Sequence, residues 1–542
     1  MRLFFSVLLL LFVCGAQAQR IAGTLRVGTG VYQGYTLFAP LNAKQTYLID
    51  NCGRVINVWT SNFFPGNTFY LMSNGNLVRA KRVANTVITG GGGGGGVEMF
   101  DWSGNLLWSF DYNSEVARLH HDIALLPNGN ILVLAWVLKT REEALAAGRK
   151  PDLLVDDVIW SEELLEIKPV LPDGFQIVWK WELWDHLVQD YDLTKQNYGV
   201  VEEHPELVNL NYTMGEGIDD WIHANAIDYN PAFDQILISS PFLNEFWIID
   251  HSTSTEQAAS HAGGTSNRGG DLLYRWGNPE AYKKGTDADQ KIFGQHHVHW
   301  IDQGLPFAGK IMLFNNNAGL DYSTVSIIDP PVNAQNTYDL SNGVFGPQEP
   351  LFTYTASPPQ TLFSRIMSGA EMLPNGNILI CSSLQGKIFE VDSDQEIVWE
   401  YRIPVTGSGI IGRDYNPPDS IFASDPSFRA LKYPITFQGF AGKNMQPGEP
   451  IEGEPWLDCL LVTAVEDPHP GIQFYPNPVR DLLVIKSANA EERRITAFLM
   501  GTDGREILSA EGFRELRMDV SDMPTGFYVL RVNNKSYKIW KN

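Results

Sequence analysis

Apolar and polar positions alternate along most of this chain in short runs, and turns rich in Gly, Asn and Asp separate the runs. One recurring pattern is an apolar run ending near Asp, a polar turn, and a second run that ends in Trp. Its copies span residues 47–59, 97–110, 164–181 and 388–401, and a longer copy runs from 246 to 279. Two β-rich runs around a turn predict a β-hairpin.

A second hairpin pattern alternates with the first. It is an apolar run, an Asn-Gly-Asn turn and another apolar run, seen at residues 68–80, 120–134 and 368–382. Looser copies span residues 222–239 and 296–314. Asn-Gly favours a tight hairpin because both residues accept the positive φ that such turns need.

The alternation of the two hairpins predicts the fold class. Two hairpins make one four-stranded blade, and five such units are recognisable, with residues 403–463 left to complete another. We therefore expect an all-β chain with a β-propeller of about six blades. A β-helix is the alternative, although its repeats are shorter and more regular. We expect the Trp that closes each first-type hairpin to pack between blades; the alternative role is a platform for a cofactor.

The two ends of the chain differ from the repeats. Residues 1–18 hold an Arg, an apolar run and small residues at Ala16 and Ala18, which predicts a signal peptide cleaved before Gln19. The run is too short for a membrane anchor, and a buried strand is the alternative. Residues 467–542 contain short alternating strands that predict a small Ig-like β-sandwich. The propeller is then expected over residues 19–466.

Composition narrows the choice of partners. Hydrophobic residues make up 44% of the chain, and the formal net charge is −23. A surface this acidic excludes nucleic acid, whose binding needs a basic face. An anionic substrate would need a local cationic pocket, because salt screens the distant charge within about 10 Å. After the signal peptide only Cys52, Cys381 and Cys459 remain, which allows at most one disulfide and no Cys-x-x-Cys metal site.

The seven consecutive glycines Gly90–Gly96 resemble a phosphate-binding loop at first sight. No Gly-Lys-Ser/Thr at the start of a helix follows them, so the P-loop interpretation fails. A flexible or strained loop in an early blade is the better interpretation.

Histidines occur at equivalent places in three successive repeat units. They open the second-type hairpins and are His120, His121, His223, His296, His297 and His299. Because blades are related by rotation about one axis, equivalent positions converge at one end of the central channel. A metal site is one interpretation of this cluster, with Asp122 as the only close carboxylate. A catalytic cluster that needs no metal is the other.

The C-terminal segment resembles the sorting domain of the type IX secretion system of Bacteroidetes. The matching residues are Tyr475-Pro476-Asn477-Pro478, Gly504, Met523-Pro524-Thr525-Gly526-Phe527-Tyr528, Lys538 and Lys541. The resemblance implies interaction with that secretion machinery and export through the periplasm. The protein would then be secreted or attached to the outer cell surface. A carbohydrate-binding sandwich is the alternative.

The repeat region, over roughly residues 30–450, resembles the arylsulfotransferase family. The stretches that carry this resemblance are residues 34–40, 120–130, 222–240, 294–319 and 364–377. The resemblance implies transfer of a sulfuryl group from an aryl sulfate ester to a phenol by a ping-pong cycle. It also implies that one histidine holds the group covalently and that no phosphoadenosine cofactor takes part. We therefore expect small-molecule partners and neither a cofactor nor a metal.

The resemblance also assigns roles to residues. The family's nucleophile lies in a Gln-His pair, which here is Gln295-His296. The positions that match its other cationic or donor residues are His121, His223, Asn225 and Arg365. We expect Gln295 and His120 to help bind substrate, and Tyr35 and Trp221, with Phe242, to offer apolar walls.

The chemistry of these residue types fits the role that the resemblance implies. A neutral imidazole is a good nucleophile near its ordinary pKa of about 6.5. Imidazolium, guanidinium and amide groups form charge-assisted hydrogen bonds to sulfate oxygens. Such a cluster would also supply the local positive charge that an anionic substrate needs in a protein of net charge −23.

The sequence departs from the family pattern at one place. Family members commonly carry Arg after the Ser-Ser that ends the His-x-Asn hairpin, whereas Ser239-Ser240 is followed here by Pro241. Either Arg365 supplies that charge or sulfate binding is weakened. Two alternatives to the transferase therefore remain: a cell-surface binding propeller whose site has decayed, and a metal- or quinone-dependent propeller enzyme such as a hydrolase.

Overall fold

The computed structural model of the protein describes most of the chain. The described residues are 22–213, 218–334, 336–412, 426–453, 459, 472–475, 479–487, 495–500, 506–513, 515–532 and 535–541. The predicted signal peptide and the motif residues Pro476–Pro478 and Gly504 lie outside them. The chain divides into two units, residues 1–456 and 457–542. The propeller and sandwich boundary predicted at residue 466 stays a prediction.

Six antiparallel sheets dominate the described part of the first unit, five of four strands and one of five. Each is numbered here as a blade, and its four main strands are given from the innermost outward. Blade 1 comprises Ser427–Pro434, Gly34–Pro40, Gln45–Ile49 and Val55–Thr60, and blade 2 comprises Pro65–Leu71, Leu77–Arg82, Gly95–Phe100 and Leu106–Asp111. Blade 3 comprises Ala117–Leu125, Ile131–Thr140, Val158–Val170 and Gly174–Glu182, and blade 4 comprises Ala226–Asn230, Gln235–Ser240, Glu245–Asp250 and Leu272–Trp276. Blade 5 comprises His296–Trp300, Ile311–Asn315, Thr324–Ile328 and Phe352–Thr355, and blade 6 comprises Gly369–Met372, Ile378–Ser382, Lys387–Val391 and Ile397–Arg402.

The blades form a closed ring. The innermost strand of each blade contacts that of the next, and the innermost strand of blade 6 contacts that of blade 1. Segments that precede and follow the repeats add strands to blades 1 and 6, where the ring closes. Ser427–Pro434 pairs with Gly34–Pro40 inside blade 1, and Gly23–Val27 adds a fifth strand to the outer edge of blade 6. The predicted six-bladed propeller is confirmed, and the second-type hairpins are the inner halves of the blades.

The repeated Trp residues join neighbouring blades, as predicted. The indole of Trp59 donates to the carbonyl of Asp101 in blade 2, and Trp108 donates to Gly174 in blade 3, each at 2.8 Å. Trp399 in blade 6 donates to Asn51 at 2.7 Å and so reaches blade 1. Each of these indoles is fully buried. They are structural groups, which leaves none of these three for a cofactor platform.

The connections hold the remaining short elements. The α-helices that lie wholly within the described residues are Arg141–Ala146 and Thr255–Ala258. The 3₁₀ helices are Pro151–Leu153, Leu183–Asp185, Val201–Glu203, Pro279–Tyr282, Asp287–Asp289, Pro359–Thr361, Ser383–Gln385 and Gln438–Phe440. Two-residue strands pair as Leu187–Val188 with Val208–Asn209, Leu340–Ser341 with Val344–Phe345, and Val405–Thr406 with Gly409–Ile410. No helix among the described residues is long and apolar enough to cross a membrane.

The second unit contains two antiparallel sheets. One has three strands in the order Ile472–Tyr475, Leu482–Ser487 and Glu515–Asp519. The other has four in the order Glu506–Gly512, Ile495–Met500, Gly526–Val532 and Lys535–Lys541. Buried apolar side chains from both sheets form one core, as in a β-sandwich.

The cysteines agree with the expectation of at most one disulfide. Cys52 is disulfide-bonded, whereas Cys381 is a buried free thiol. Burial raises the pKa of the Cys381 thiol to about 12, so this thiol stays protonated and unreactive.

Candidate active site

A cavity of about 870 Å³ opens at the end of the ring where the innermost strands begin. Every blade contributes a residue to its wall from the first half of its innermost strand or from just before that strand. In blade order these residues are Phe428, Asn67, His121, His223, His296 and Met367. The convergence of three histidines from blades 3, 4 and 5, which the repeat pattern predicts, is therefore seen in the structure.

Irregular backbone aims the histidines at this cavity. His121 and His223 have left-handed backbone conformations, with φ of 46° and 51°. The innermost strand of blade 3 changes register between His120 and Ile123. A bulge of this kind lets consecutive side chains leave the regular alternation of a strand, and it is common beside active sites. His120 therefore turns into the protein while His121 reaches the cavity.

The His296 imidazole is held in a single tautomer. Its Nδ1 lies 3.0 Å from the carbonyl oxygen of Gly294 and 2.9 Å from Oδ1 of Asn316. The Asn316 amide group donates to the carbonyls of Ser364 and Met367, both at 2.7 Å, which fixes its oxygen toward His296. Because neither neighbour of Nδ1 can donate, Nδ1 carries the proton and Nε2 carries the lone pair.

Nε2, the unprotonated nitrogen of His296, accepts a hydrogen bond from one residue of the cavity wall. The backbone N–H of Met367 donates to Nε2 at 3.1 Å, and His296 lines the cavity wall. Burial lowers the pKa of His296 to about 4, despite the hydrogen bond from its Nδ1 to Asn316. The ring is thus neutral at neutral pH, the form in which an imidazole acts as a nucleophile.

His121 belongs to a buried row of three side chains. Nε2 of His120 lies 2.9 Å from Oε2 of Glu162, and the Nδ1 atoms of His120 and His121 lie 2.9 Å apart. The other Glu162 oxygen accepts the backbone N–H of Ala224 at 2.8 Å. Trp136 stacks on the His120 ring at 3.9 Å. Nε2 of His121 has no hydrogen-bond partner among the described residues, so it is free to contact a ligand.

His223 is paired with a carboxylate. Its Nδ1 lies 2.5 Å from Oδ2 of Asp220, and its ring lies 4.6 Å from the ring of His121. The carboxylate holds the Nδ1 side of the ring, which leaves Nε2 of His223 for contact with a ligand in the cavity. The Phe242 ring stacks on the ring of His223 at 4.3 Å. This side chain therefore combines a polar tip with an aromatic backing.

The cavity wall is cationic although the protein is acidic. Arg82, Arg118 and Arg365 line it, and none of them forms an ion pair in the described part of the chain. Burial, and after it the charge of Arg82, lowers the pKa of Arg118. Among the described residues, Asp220 is the one carboxylate in the wall, and its Oδ2 is bonded to His223. Family members commonly carry an arginine at the position of Pro241. Arg82, Arg118 and Arg365 supply positive charge to the cavity wall in its absence.

Apolar side chains complete the wall. They are Leu41, Val83, Phe242, Ile366 and Phe428. The Phe428 ring lies about 6 Å from the rings of both His121 and His296. A cavity with cationic donors beside aromatic rings suits a ligand that joins an anionic group to an apolar ring.

The glycine run forms part of this wall. Gly90–Gly93 line the cavity, and the backbone of Gly92 accepts the N–H of His121 at 2.9 Å. A Cβ at Gly92 would lie 2.0 Å from Nε2 of His121, and one at Gly93 would lie 2.6 Å from the Arg118 guanidinium. The absence of side chains therefore lets this backbone approach the functional groups closely.

Two predicted site residues, Gln295 and Asn225, are buried next to the site and form hydrogen bonds that position it. Gln295 is fully buried, and its amide donates to the hydroxyl of Ser239 at 3.2 Å and to the carbonyl of Glu245 at 2.7 Å. Asn225 is also buried and donates to the Gln295 carbonyl at 2.7 Å. Neither residue lines the cavity. Together they fix the residue before His296 to blade 4.

Three further predicted residues do not reach the cavity either. Tyr35 lies on the second strand of blade 1 and packs edge-on against Phe440 at 5.3 Å. Trp221 is buried and donates to the carbonyl of Tyr212 at 2.9 Å. His120 lies behind His121. His121, His223, His296 and Arg365, together with the Phe242 wall, are the predicted residues that meet in the cavity.

Five functional groups were missed by sequence reasoning: Asp220, Asn316, Glu162, Arg82 and Arg118. Asp220 had a usable signal, since it precedes His223 by three residues. Asn316 lies in an Asn-Asn-Asn run that follows a strand. Glu162 gave no signal because it lies on the third strand of blade 3 and meets His120 only through the fold.

The other candidate histidines lie elsewhere. His297 and His299 line a separate cavity of about 210 Å³ further along the innermost strands, beside Arg429. Asp122, the predicted metal carboxylate, is buried in an ion pair with Arg429 at 2.8 Å. Among the described residues, the group with metal-ligand spacing is His186, His261 and Asp271. None of these three lines the large cavity.

Comparison with known protein families decides the assignment. The family profile described as Arylsulfotransferase (ASST) matches residues 29–404, more than half of the chain. The chain belongs to the arylsulfotransferase family. This membership supports sulfuryl transfer in general and small-molecule substrates. Among proteins with curated descriptions, none matches this chain.

The sorting prediction is also confirmed. The profile described as Secretion system C-terminal sorting domain matches residues 473–542. This domain indicates export by the type IX secretion machinery, with secretion or attachment at the cell surface. This arylsulfotransferase-family protein thus carries its export signal in the second unit.

Several solved structures resemble this protein distantly. A protein of unknown function from Bacteroides caccae is 12% identical with a TM-score of 0.39, covering 74% of this chain and 98% of its own. A virginiamycin B lyase from Staphylococcus aureus is 9% identical with a TM-score of 0.31, covering 71% of this chain and 90% of its own.

Proposed function

We propose that this protein is an aryl-sulfate sulfotransferase that moves a sulfuryl group from a phenolic sulfate ester to a phenol through a covalent sulfohistidine. The observation that carries the proposal is the state of His296, a neutral imidazole with its proton fixed on Nδ1 and its Nε2 lone pair on the wall of a cationic, aromatic-lined cavity. No phosphoadenosine cofactor enters this cycle.

In the donor half-reaction the Nε2 lone pair of His296 attacks the sulfur. The N–S bond forms as the bond between sulfur and the phenolic oxygen breaks, and the phenolate leaves with the electron pair. Positive charge develops on the ring, and the oxygens of Asn316 and Gly294 accept the Nδ1–H more strongly as it does. The Met367 N–H must release Nε2 first, and it can then donate to a sulfuryl oxygen.

In the acceptor half-reaction a phenol occupies the place of the departed phenolate. Its oxygen loses a proton to a nearby base and attacks the sulfur, and the N–S bond breaks to restore neutral His296. His121 and His223 lie beside this position with Nε2 atoms available for donating or accepting protons. Arg118 and Arg365 add positive charge for the sulfate oxygens.

The direct test is a turnover assay. Purified protein is mixed with p-nitrophenyl sulfate, with and without phenol, and nitrophenolate release is followed. We expect a stoichiometric burst without acceptor and steady turnover with it. His296→Ala should lose about 10³-fold or more, whereas His299→Ala, from the separate cavity, should keep the burst. Hydrolysis at a rate independent of phenol would contradict ping-pong transfer.

A binding propeller is the second candidate, and Pro241 is the observation that favours it. If the missing arginine abolished catalysis, the cavity would still bind aryl sulfates through Arg82, Arg118 and Arg365. Calorimetric titration with a non-transferable aryl sulfonate, beside the turnover assay, separates the two candidates. Binding without any burst would support the decayed site.

A further inference from the structure

The buried row of Glu162, His120 and His121 leads from the interior of the blade 3–blade 4 region to the cavity. Its contacts are the 2.9 Å approach of Glu162 Oε2 to His120 Nε2 and the 2.9 Å approach between the two Nδ1 atoms. The side chains of Glu162 and His120 are 1% and 0% exposed. His121 is the member of this row that lines the cavity, so the row meets solvent at its His121 end.

Hydrogen-bonding rules allow this row two consistent arrangements. In the first, the Glu162 carboxylate accepts the Nε2–H of His120, whose Nδ1 accepts the Nδ1–H of His121. Nε2 of His121 then presents a lone pair to the cavity. In the second, protonated Glu162 donates to His120, His120 donates to His121, and Nε2 of His121 presents an N–H.

The two arrangements differ by one proton. When a proton binds Nε2 of His121, the Nδ1–H proton of His121 moves to Nδ1 of His120. The Nε2–H proton of His120 then moves to Oε2 of Glu162. No imidazolium forms in either arrangement. The backbone N–H of Ala224 occupies Oε1 of Glu162 at 2.8 Å, which leaves Oε2 as the oxygen that exchanges the proton.

We propose that Glu162 is a proton reservoir for the sulfuryl transfer, and that it acts through His120 to make His121 the acid of the donor half-reaction and the base of the acceptor half-reaction. This inference rests on the proposed function. As the S–O bond breaks, the departing phenolate takes the Nε2–H of His121. His121 then takes the Nδ1–H of His120 at its own Nδ1, and His120 takes the proton of Glu162 at Nε2, so the row passes to the first arrangement with a lone pair on Nε2 of His121. When the phenol attacks, its proton enters at His121 and returns to Glu162.

Burial sets the resting state of the row. It raises the pKa of Glu162 well above the ordinary value and lowers the pKa of both His120 and His121 well below theirs. The neutral arrangement with the proton on Glu162 is therefore the resting one. His121 then offers an N–H to the incoming donor, which is what a leaving phenolate needs.

The test uses two donors that differ in leaving group. Unsubstituted phenolate, with a pKa near that of tyrosine at about 10, needs a proton to leave at neutral pH, whereas nitrophenolate is stable without one. Glu162→Gln preserves the shape and the hydrogen bonds of the protonated carboxyl but cannot release the proton. We expect it to slow the burst with phenyl sulfate by about 10²-fold or more and to leave the burst with p-nitrophenyl sulfate within a few-fold of wild type.

The matched control is Glu163→Gln. This neighbour on the same strand is also buried, but it bonds to Tyr112 at 2.8 Å and does not line the cavity. It should leave both bursts unchanged. His120→Phe, which keeps a ring against Trp136 but breaks the row, should reproduce the phenyl sulfate defect alone.

The outcomes separate this inference from the function on which it rests. If wild type shows no burst with either donor, the proposed function fails. If wild type reacts and Glu162→Gln loses the same factor with both donors, the residue is structural and the reservoir is wrong. Equal rates for Glu162→Gln and wild type with both donors would overturn it as well.

Discussion

At Gly92 we expect the addition of a single methyl group to lower both the stability of the protein and the rate of sulfuryl transfer. Its φ is +78°, and an added Cβ would lie 2.0 Å from Nε2 and 2.2 Å from Cε1 of His121. A left-handed alanine costs about 1 kcal/mol, and overpacking adds about 1–3 kcal/mol. Ordinary contacts begin at 3.4 Å, so the ring or the loop must move by more than about 1 Å. A displacement of that size at a catalytic group costs about 10²-fold in rate.

Two other glycines serve as controls for Gly92→Ala. Gly104 also has a positive φ, +86°, but nothing lies within 4 Å of its Cβ position, so Gly104→Ala isolates the backbone cost. Gly91 lies in the same loop, and its Cβ would meet only Cε1 of His223, at 4.0 Å. We expect both controls to retain the burst with p-nitrophenyl sulfate.

The assay combines chemical denaturation with burst kinetics. Gly92→Ala should lose about 2–4 kcal/mol of unfolding free energy and about 10²-fold in burst rate. Gly104→Ala should lose about 1 kcal/mol and no activity. If Gly92→Ala transfers as fast as Gly91→Ala, then the glycine wall does not position His121, and the reasoning is refuted.

Three further predictions follow from the site. With a good leaving group, sulfurylation should stay constant as the pH falls through the ordinary histidine value of 6.5 and should drop only near the His296 pKa of about 4; an acid limb near 6.5 would contradict this. Chelators should leave turnover unchanged, and metal-dependent turnover would contradict the transfer mechanism. Truncation after residue 466 should keep the transfer rate, because the described residues that line the cavity end at Phe428, but should abolish export in the native host; unfolding or normal export would refute it.

The blades and the histidine cluster could be predicted because the hairpin pattern of each repeat combines with the rotational symmetry of the propeller. The Asn128-Gly129-Asn130 turn predicts the inner hairpin of blade 3, and Gly129 has the expected positive φ of 85°. Rotation then places His121, His223 and His296 at one end of the ring. Residues 403–463 were expected to complete a blade, and Ser427–Pro434 does complete blade 1. Its position as the innermost strand was not predicted, because it pairs with a strand almost 400 residues away and has no hairpin partner beside it.

The sequence pattern did not predict the direction in which the side chains of the site point. Only the bulge decides that His121 faces the cavity and His120 faces Glu162, and a bulge leaves no mark in the alternation of residue types. Tyr35 was misplaced for a related reason, because it lies on a second strand and not an innermost one. Arg118 was overlooked because its approach to the cavity depends on the neighbouring Gly93 having no side chain.

The covalent intermediate is the central claim, and trapping it is the most direct test. The protein is mixed with p-nitrophenyl sulfate alone, quenched in base and digested, and the peptides are analysed by mass spectrometry. The account predicts one added sulfuryl group on His296, which disappears when phenol is added before the quench. A sulfuryl group on His121 or His223, or none at all in protein that turns over, would contradict it.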